Sequence, residues 1–212
     1  MTVRVAILNP FATAVVVESG FGHHHPYADA AKMADGLARD LDCYGPSIGA
    51  PVSFIPGELP AGFQVRGRVE SVGPACRTGN IADGGYVVSI DLEHCRTSEG
   101  VWWPSDRRVW YAHLDPVLVA EDQIILPDTV LGRLGPSAGA EYNSPCAQGS
   151  HLHLEVSGGE WGAAEDVHLA VREAAIRLDL VATPPAGPAV TLDQRVAELD
   201  ARLSELERWR RS

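Results

Sequence analysis

Apolar positions recur along this chain at two different intervals. Through the middle they form short β-rich runs bounded by turn residues, at residues 52–55, 63–72, 86–92, 109–114, 117–119, 123–125, 130–134 and 151–156. Such runs predict strands. Residues 3–17 predict one or two more. Two stretches instead show helical spacing: residues 27–42, with Ala31, Ala34, Leu37, Ala38 and Leu41, and residues 164–180, with Val167, Val171, Ala174 and Leu178 on one stripe. The first predicts a helical insertion, the second a helix packed on the sheet.

Beyond these, Thr183-Pro-Pro-Ala-Gly-Pro188 forms a stiff linker, because consecutive prolines exclude helix. Thr191 and Gln194 then form a capping-box pattern. Leu192, Val196, Leu199, Leu203 and Leu206 follow at alternating spacings of four and three, flanked by Glu198, Arg202, Glu205 and Arg208, a pattern shared by a coiled-coil helix and by an amphipathic helix folding back on the domain; the proline linker favours the coiled coil. The expected organisation is a β-dominated (α+β) domain over residues 1–181, a linker over 182–190 and a self-associating helix over 191–212.

The chain has 212 residues, 45% of them hydrophobic, enough for one core. Its 21 Gly and 15 Pro favour a turn-rich, strand-rich body over a helical bundle. A formal charge of -11 argues against nucleic acid as a partner, since phosphate binding needs a basic patch. The basic Trp209-Arg210-Arg211 reads as a frayed helix end. The first ten residues lack the cleavage site of a signal peptide, and eighteen apolar residues never run together. The expectation is a soluble protein without membrane insertion. Four cysteines, Cys43, Cys76, Cys95 and Cys146, contain no Cys-x-x-Cys pair, which disfavours a zinc knuckle. Their even number permits two disulfides.

Histidines are few but unevenly placed: His23-His24-His25, His113 within Tyr-Ala-His-Leu, and His151-Leu-His153 within a predicted strand. Residues i and i+2 of a strand share a face, so His151 and His153 present two imidazoles side by side. His25 and Asp29, four apart, share a face if their segment is helical. An isolated His-x-His is ordinarily a solvent-facing pair, and His-x-x-x-Asp a helix-surface pair. Together they suggest a catalytic zinc, which needs three protein ligands, an open position and separate proton-moving groups. His25, Asp29 and one strand histidine supply the ligands; the other strand histidine and His113 remain as base and transition-state stabiliser.

His-Pro-Tyr-Ala-Asp (25–29), Tyr-Ala-His-Leu (111–114) and His-Leu-His-Leu-Glu-Val (151–156) resemble, in order and content, three motifs of the lysostaphin/LytM-type zinc metallopeptidases. Gly49-Ala-Pro-Val52, Gly85-Tyr-Val-Val-Ser-Ile90 and Leu131-Gly-Arg-Leu-Gly135 are similar to further family segments. The likeness covers about residues 22–160. It implies an antiparallel β-sheet groove of the LytM, or duplicated-hybrid-motif, type, with helices added by the insertion and the C-terminus. It further implies zinc held by His25, Asp29 and His153, with His113 and His151 assisting catalysis, and the peptide part of bacterial peptidoglycan as substrate. One of those two histidines takes a proton from water; the other stabilises the oxyanion or protonates the leaving amine. Glu155 reads as a structural carboxylate or one that touches the metal site from outside its ligands.

The chain also departs from the family. Nineteen residues separate Asp29 from Gly49, and residues 137–150 replace a short turn with one containing Pro145-Cys146-Ala147-Gln148. His94 and His168 have no motif around them and read as surface or ordinary polar histidines. A wall-cutting enzyme without an export signal suggests a bacteriophage protein, made in the host cytoplasm and then virion-associated or acting at the cell wall. The predicted coiled coil suggests a homo-oligomer or a tail-assembly partner bound through residues 191–212. The alternative is a catalytically silent virion protein that retains the fold.

Overall fold

A computed structural model describes residues 2–18, 38–76, 79–135, 150–157, 160–161 and 167–182. Among these residues fourteen strands form two sheets. The smaller sheet runs β12 (Glu160–Trp161), β14 (Ala174–Val181), β1 (Thr2–Leu8), β5 (Pro56–Gly57). The larger has ten strands, its main path being β13 (Val167–Leu169), β2 (Val15–Glu18), β3 (Ala38–Tyr44), β11 (Leu152–Ser157), β8 (Trp102–Val117), β7 (Tyr86–Arg96), β6 (Phe63–Pro74), β9 (Ile124–Ile125). β10 (Val130–Leu134) bridges β8 and β4 (Pro51–Ser53).

The side-chain alternation of strands places the core. Val3, Val5 and Ile7 of β1, and Ile176, Leu178 and Leu180 of β14, are buried. They share one apolar cluster with Val88, Ile90, Val109, Tyr111, Leu152 and Leu154 of the larger sheet. Each large aliphatic side chain sealed there contributes roughly 1.5–3 kcal/mol. The residues alternating with Leu152, Leu154 and Val156 on β11, namely His153, Glu155 and Ser157, point to the sheet's other face.

The α+β expectation, with its helical insertion and C-terminal helices, is overturned: among the described residues the only helical element is a 3-10 turn at Ile81–Asp83. Residues 38–42, read as the end of a helix, belong to β3, which pairs with β11 over six positions. The residues read as a helix over 164–180 contain β13 and β14. Val171 is 45% exposed, and Arg172 takes φ 67 in the intervening turn. From Ile176 onward burial alternates with period two, because β14 pairs with nearly all of β1. Val167, Val171, Ala174 and Leu178 mimic a helical stripe, but pairing with a strand some 170 positions away in sequence decides the conformation. Residues 27–37 and the expected coiled coil at 191–212 lie outside the described residues.

Candidate active site

Three histidines and a carboxylate converge on the outer face of β3, β11 and β8. His153 lies directly opposite Asp42 on β3 and Ala112 on β8. Its Nδ1 is 2.9 Å from Asp42 Oδ1, and its Nε2 is 3.5 Å from Glu155 Oε2. The Asp42 oxygen is also 3.5 Å from His151 Nε2. His113 and His151 meet edge to face at 4.8 Å between ring centroids, and the His113 and His153 centroids are 6.4 Å apart. Tyr44 lies against His151 at 5.1 Å, its hydroxyl 3.5 Å from Asp42 Oδ2. Asp42, His113, His151, His153 and Glu155 are all buried.

His113 owes its place to an irregularity in the ladder. Tyr86 pairs with Leu114 and Val87 with Ala112, so His113 is an extra residue bulged out of β8. It takes φ 68, a conformation that costs a non-glycine residue about 1–3 kcal/mol and persists only when the surroundings enforce it. Two glycines provide that enforcement. Gly85 sits at φ 71, where a Cβ would lie 2.8 Å from Leu114 O and 3.2 Å from His113 C. At Gly135 a Cβ would lie 2.9 Å from Asp115 Cβ and 3.2 Å from His113 O, the carbonyl that its own N–H reaches at 2.8 Å. The strand segments that begin at Gly85 and end at Gly135 therefore close on the His113 backbone from two sides.

Protonation follows from these contacts. Burial, reinforced by the neighbouring His151, lowers the His113 pKa to about 4 despite the hydrogen bond to Gly84. In the resulting neutral ring Nδ1–H donates to Gly84 O at 2.7 Å, which leaves the lone pair on Nε2. For His153, burial acts downward but hydrogen bonds and charges from Asp42 and Glu155 outweigh it, raising the pKa to about 9. One imidazole is thus kept neutral and another, a few ångströms away, attracts positive charge.

That environment bears on a metal. Two ligand atoms at about 2.0–2.1 Å from a tetrahedral zinc lie about 3.3 Å apart. Asp42 Oδ1 and His153 Nδ1, in hydrogen-bond contact at 2.9 Å, would part by about 0.4 Å to share an ion, and Glu155 stands where it would accept a hydrogen bond from the opposite ring nitrogen of a metal-bound His153. The described residues supply this pair of donors and its supporting carboxylate; they contain no group of three or more ligands arranged around one ion.

Of the residues expected from sequence, His113, His151 and His153 come together here, whereas His25 and Asp29 lie outside the described residues. Asp42, Tyr44 and the Gly84 carbonyl were not anticipated. Asp42 was obscured by the helical reading of its segment; read as a strand, Asp42 and Tyr44 fall on one face. His94, expected to be a surface or ordinary polar residue, is instead fully buried, with neither ring nitrogen partnered among the described residues, while His168 is exposed. Cys43 and Cys95 are free thiols and Cys76 is disulfide-bonded, so two disulfides do not form.

No family model matches the sequence, and comparison with curated proteins yields no match. Among solved structures the chain is similar to a Pseudomonas aeruginosa protein provisionally described as peptidase M23, at 18% identity and a TM-score of 0.40. The alignment covers 77% of this chain and 48% of that one, so the chain spans less than half of that protein.

Proposed function

We propose that the chain is a zinc-dependent endopeptidase that cuts the peptide part of bacterial peptidoglycan. The supporting observation is that His151 and His153 meet on Asp42 while His113 packs edge-on against His151, with His153 set between two carboxylates. The three ordered sequence motifs supply the substrate class. Asp42 and His153 would hold the ion, with His25 as the third ligand; in this reading Asp42 takes the place first given to Asp29. Zinc bound there would lower the pKa of a ligated water towards about 7 and polarise a carbonyl.

The chain's own groups divide the remaining work. His113, neutral and with its Nδ1–H committed to Gly84 O, presents Nε2 as the proton acceptor. His151, against Asp42 and Tyr44, is placed to give a proton to the leaving amine. Glu155 orients His153. The test measures bound zinc and the release of amino groups from purified peptidoglycan for the wild type, Asp42→Asn, Asp29→Asn and His151→Ala. Loss of zinc in Asp42→Asn but not Asp29→Asn, with zinc retained and cleavage lost in His151→Ala, is expected. Stoichiometric zinc without cleavage of any wall type would instead leave a silent structural protein.

A further inference from the structure

On β3 the residue between Asp42 and Tyr44 is Cys43, which belongs to the apolar core, so its two neighbours share the outer face with the histidines. The pairing of Leu152 with Cys43 brings Tyr44, the last residue of β3, beside His151, which immediately precedes β11. Their ring centroids are 5.1 Å apart at an interplanar angle of 34°, and His113 closes on the same imidazole edge-on at 4.8 Å. Packing against His151 thus holds the Tyr44 ring, and with it the direction of the hydroxyl. That hydroxyl donates to Asp42 Oδ2 at 3.5 Å, while Oδ1 lies 2.9 Å from His153 Nδ1 and 3.5 Å from His151 Nε2. The two carboxylate oxygens therefore face different partners. The last torsion of an aspartate is soft and roughly two-fold, so the carboxylate turns unless hydrogen bonds hold it. A donor on Oδ2 resists that turn and keeps Oδ1 towards the imidazoles.

We propose that Tyr44 is a positioning residue whose hydroxyl orients the Asp42 carboxylate for its work with His153. Tyr44 touches neither the scissile bond nor the ion; it acts through Asp42. Removing the hydroxyl leaves the ring on His151 and lets the carboxylate turn away from His153, so Asp42 and His153 lose part of their common aim at a metal. The proton-moving pair, His113 and His151, keeps its packing. The meaning of this for catalysis rests on the hydrolase reading above; the orientation of Asp42 does not.

The experiment uses the full chain as wild type, Tyr44→Phe, Asp42→Asn and the double variant. In nitrogen-15 spectra of the metal-free proteins at one neutral pH, the His153 Nδ1 proton, which faces Asp42 in the wild type, should move upfield in Tyr44→Phe as its bond to the carboxylate loosens. In the Asp42→Asn background the same substitution should leave that signal where it is, because a residue acting through Asp42 has nothing left to orient. Apparent zinc affinity of Tyr44→Phe in chelator competition should fall about tenfold, the low end for a residue that supports a metal ligand, since the hydrogen bond is long. Turnover of peptidoglycan at saturating zinc should stay close to the wild type. An unmoved His153 signal in Tyr44→Phe, or an equal shift in the Asp42→Asn background, would show that other contacts hold the carboxylate and overturn the proposal. A zinc affinity equal to that of the wild type would overturn it as well. A moved signal in a protein that cuts no wall, whether or not it binds zinc, would support the orienting hydroxyl and remove the hydrolase reading.

Discussion

Alanine at three glycines can separate the two constraints that shape the His113 bulge. Gly79 and Gly85 share the left-handed conformation, at φ 74 and φ 71, but among the described residues a Cβ at Gly79 meets nothing within 4 Å, whereas at Gly85 it meets Leu114 O at 2.8 Å. Gly132 has no left-handed φ, yet its Cβ would lie 2.7 Å from Pro116 O. A left-handed alanine costs about 1–2 kcal/mol. Loss of unfolded-chain freedom returns about 0.4–1 kcal/mol in all three variants. Gly79→Ala should therefore destabilise by about 0.5–1 kcal/mol. Forcing a methyl against backbone that cannot rotate away costs about 1–3 kcal/mol, so Gly132→Ala should lose about 1–2 kcal/mol and Gly85→Ala, carrying both terms, about 2–4 kcal/mol. Urea unfolding at neutral pH, with m-values compared to confirm two-state behaviour, measures all three. If Gly85→Ala falls within about 0.5 kcal/mol of Gly79→Ala, the close approach of Gly85 to β8 does not constrain the bulge, and the account of how His113 is placed is wrong.

Other consequences follow from the same contacts. In the metal-free protein, the raised His153 pKa contributes stability fully present below pH 6.5 and lost as pH rises through about 9. The lowered His113 pKa removes stability as pH falls from 6.5 through about 4, so urea midpoints should peak near pH 6.5, with each histidine worth on the order of 3 kcal/mol; a flat profile from pH 4 to 9 would contradict both assignments. Glu155→Gln, which removes the charged acceptor facing His153 Nε2, should weaken zinc binding about 10- to 100-fold in chelator competition, and unchanged affinity would exclude that supporting role. His94→Leu should raise stability by about 1–2 kcal/mol, because neither buried ring nitrogen has a partner among the described residues. Burial lowers the His94 pKa, so the variant should also lose some of the destabilisation that develops as pH falls below 6.5; equal unfolding midpoints for the two proteins would argue that His94 is satisfied by water.

The histidines that meet on this face stood out in sequence because their signals are local. His151 and His153 share a face through strand period alone. The central strands showed themselves in the same way, as β-rich runs between turns; β10 matches its expected span. What sequence could not decide was every feature that depends on a distant partner. Residues 174–181 carry apolar spacings compatible with helix, and pairing with β1 makes them a strand. Asp42 is one acidic residue among 28 Asp and Glu until β3 pairs with β11 and sets it opposite His153. His94 had no motif to mark it, and the packing of the fold buries it. Sequence by itself determined which side chains could do chemistry and where strands could form, since periodicity is a property of neighbours along the chain. Tertiary structure alone decided which carboxylate meets which imidazole and which ring stays neutral, because those depend on register and burial.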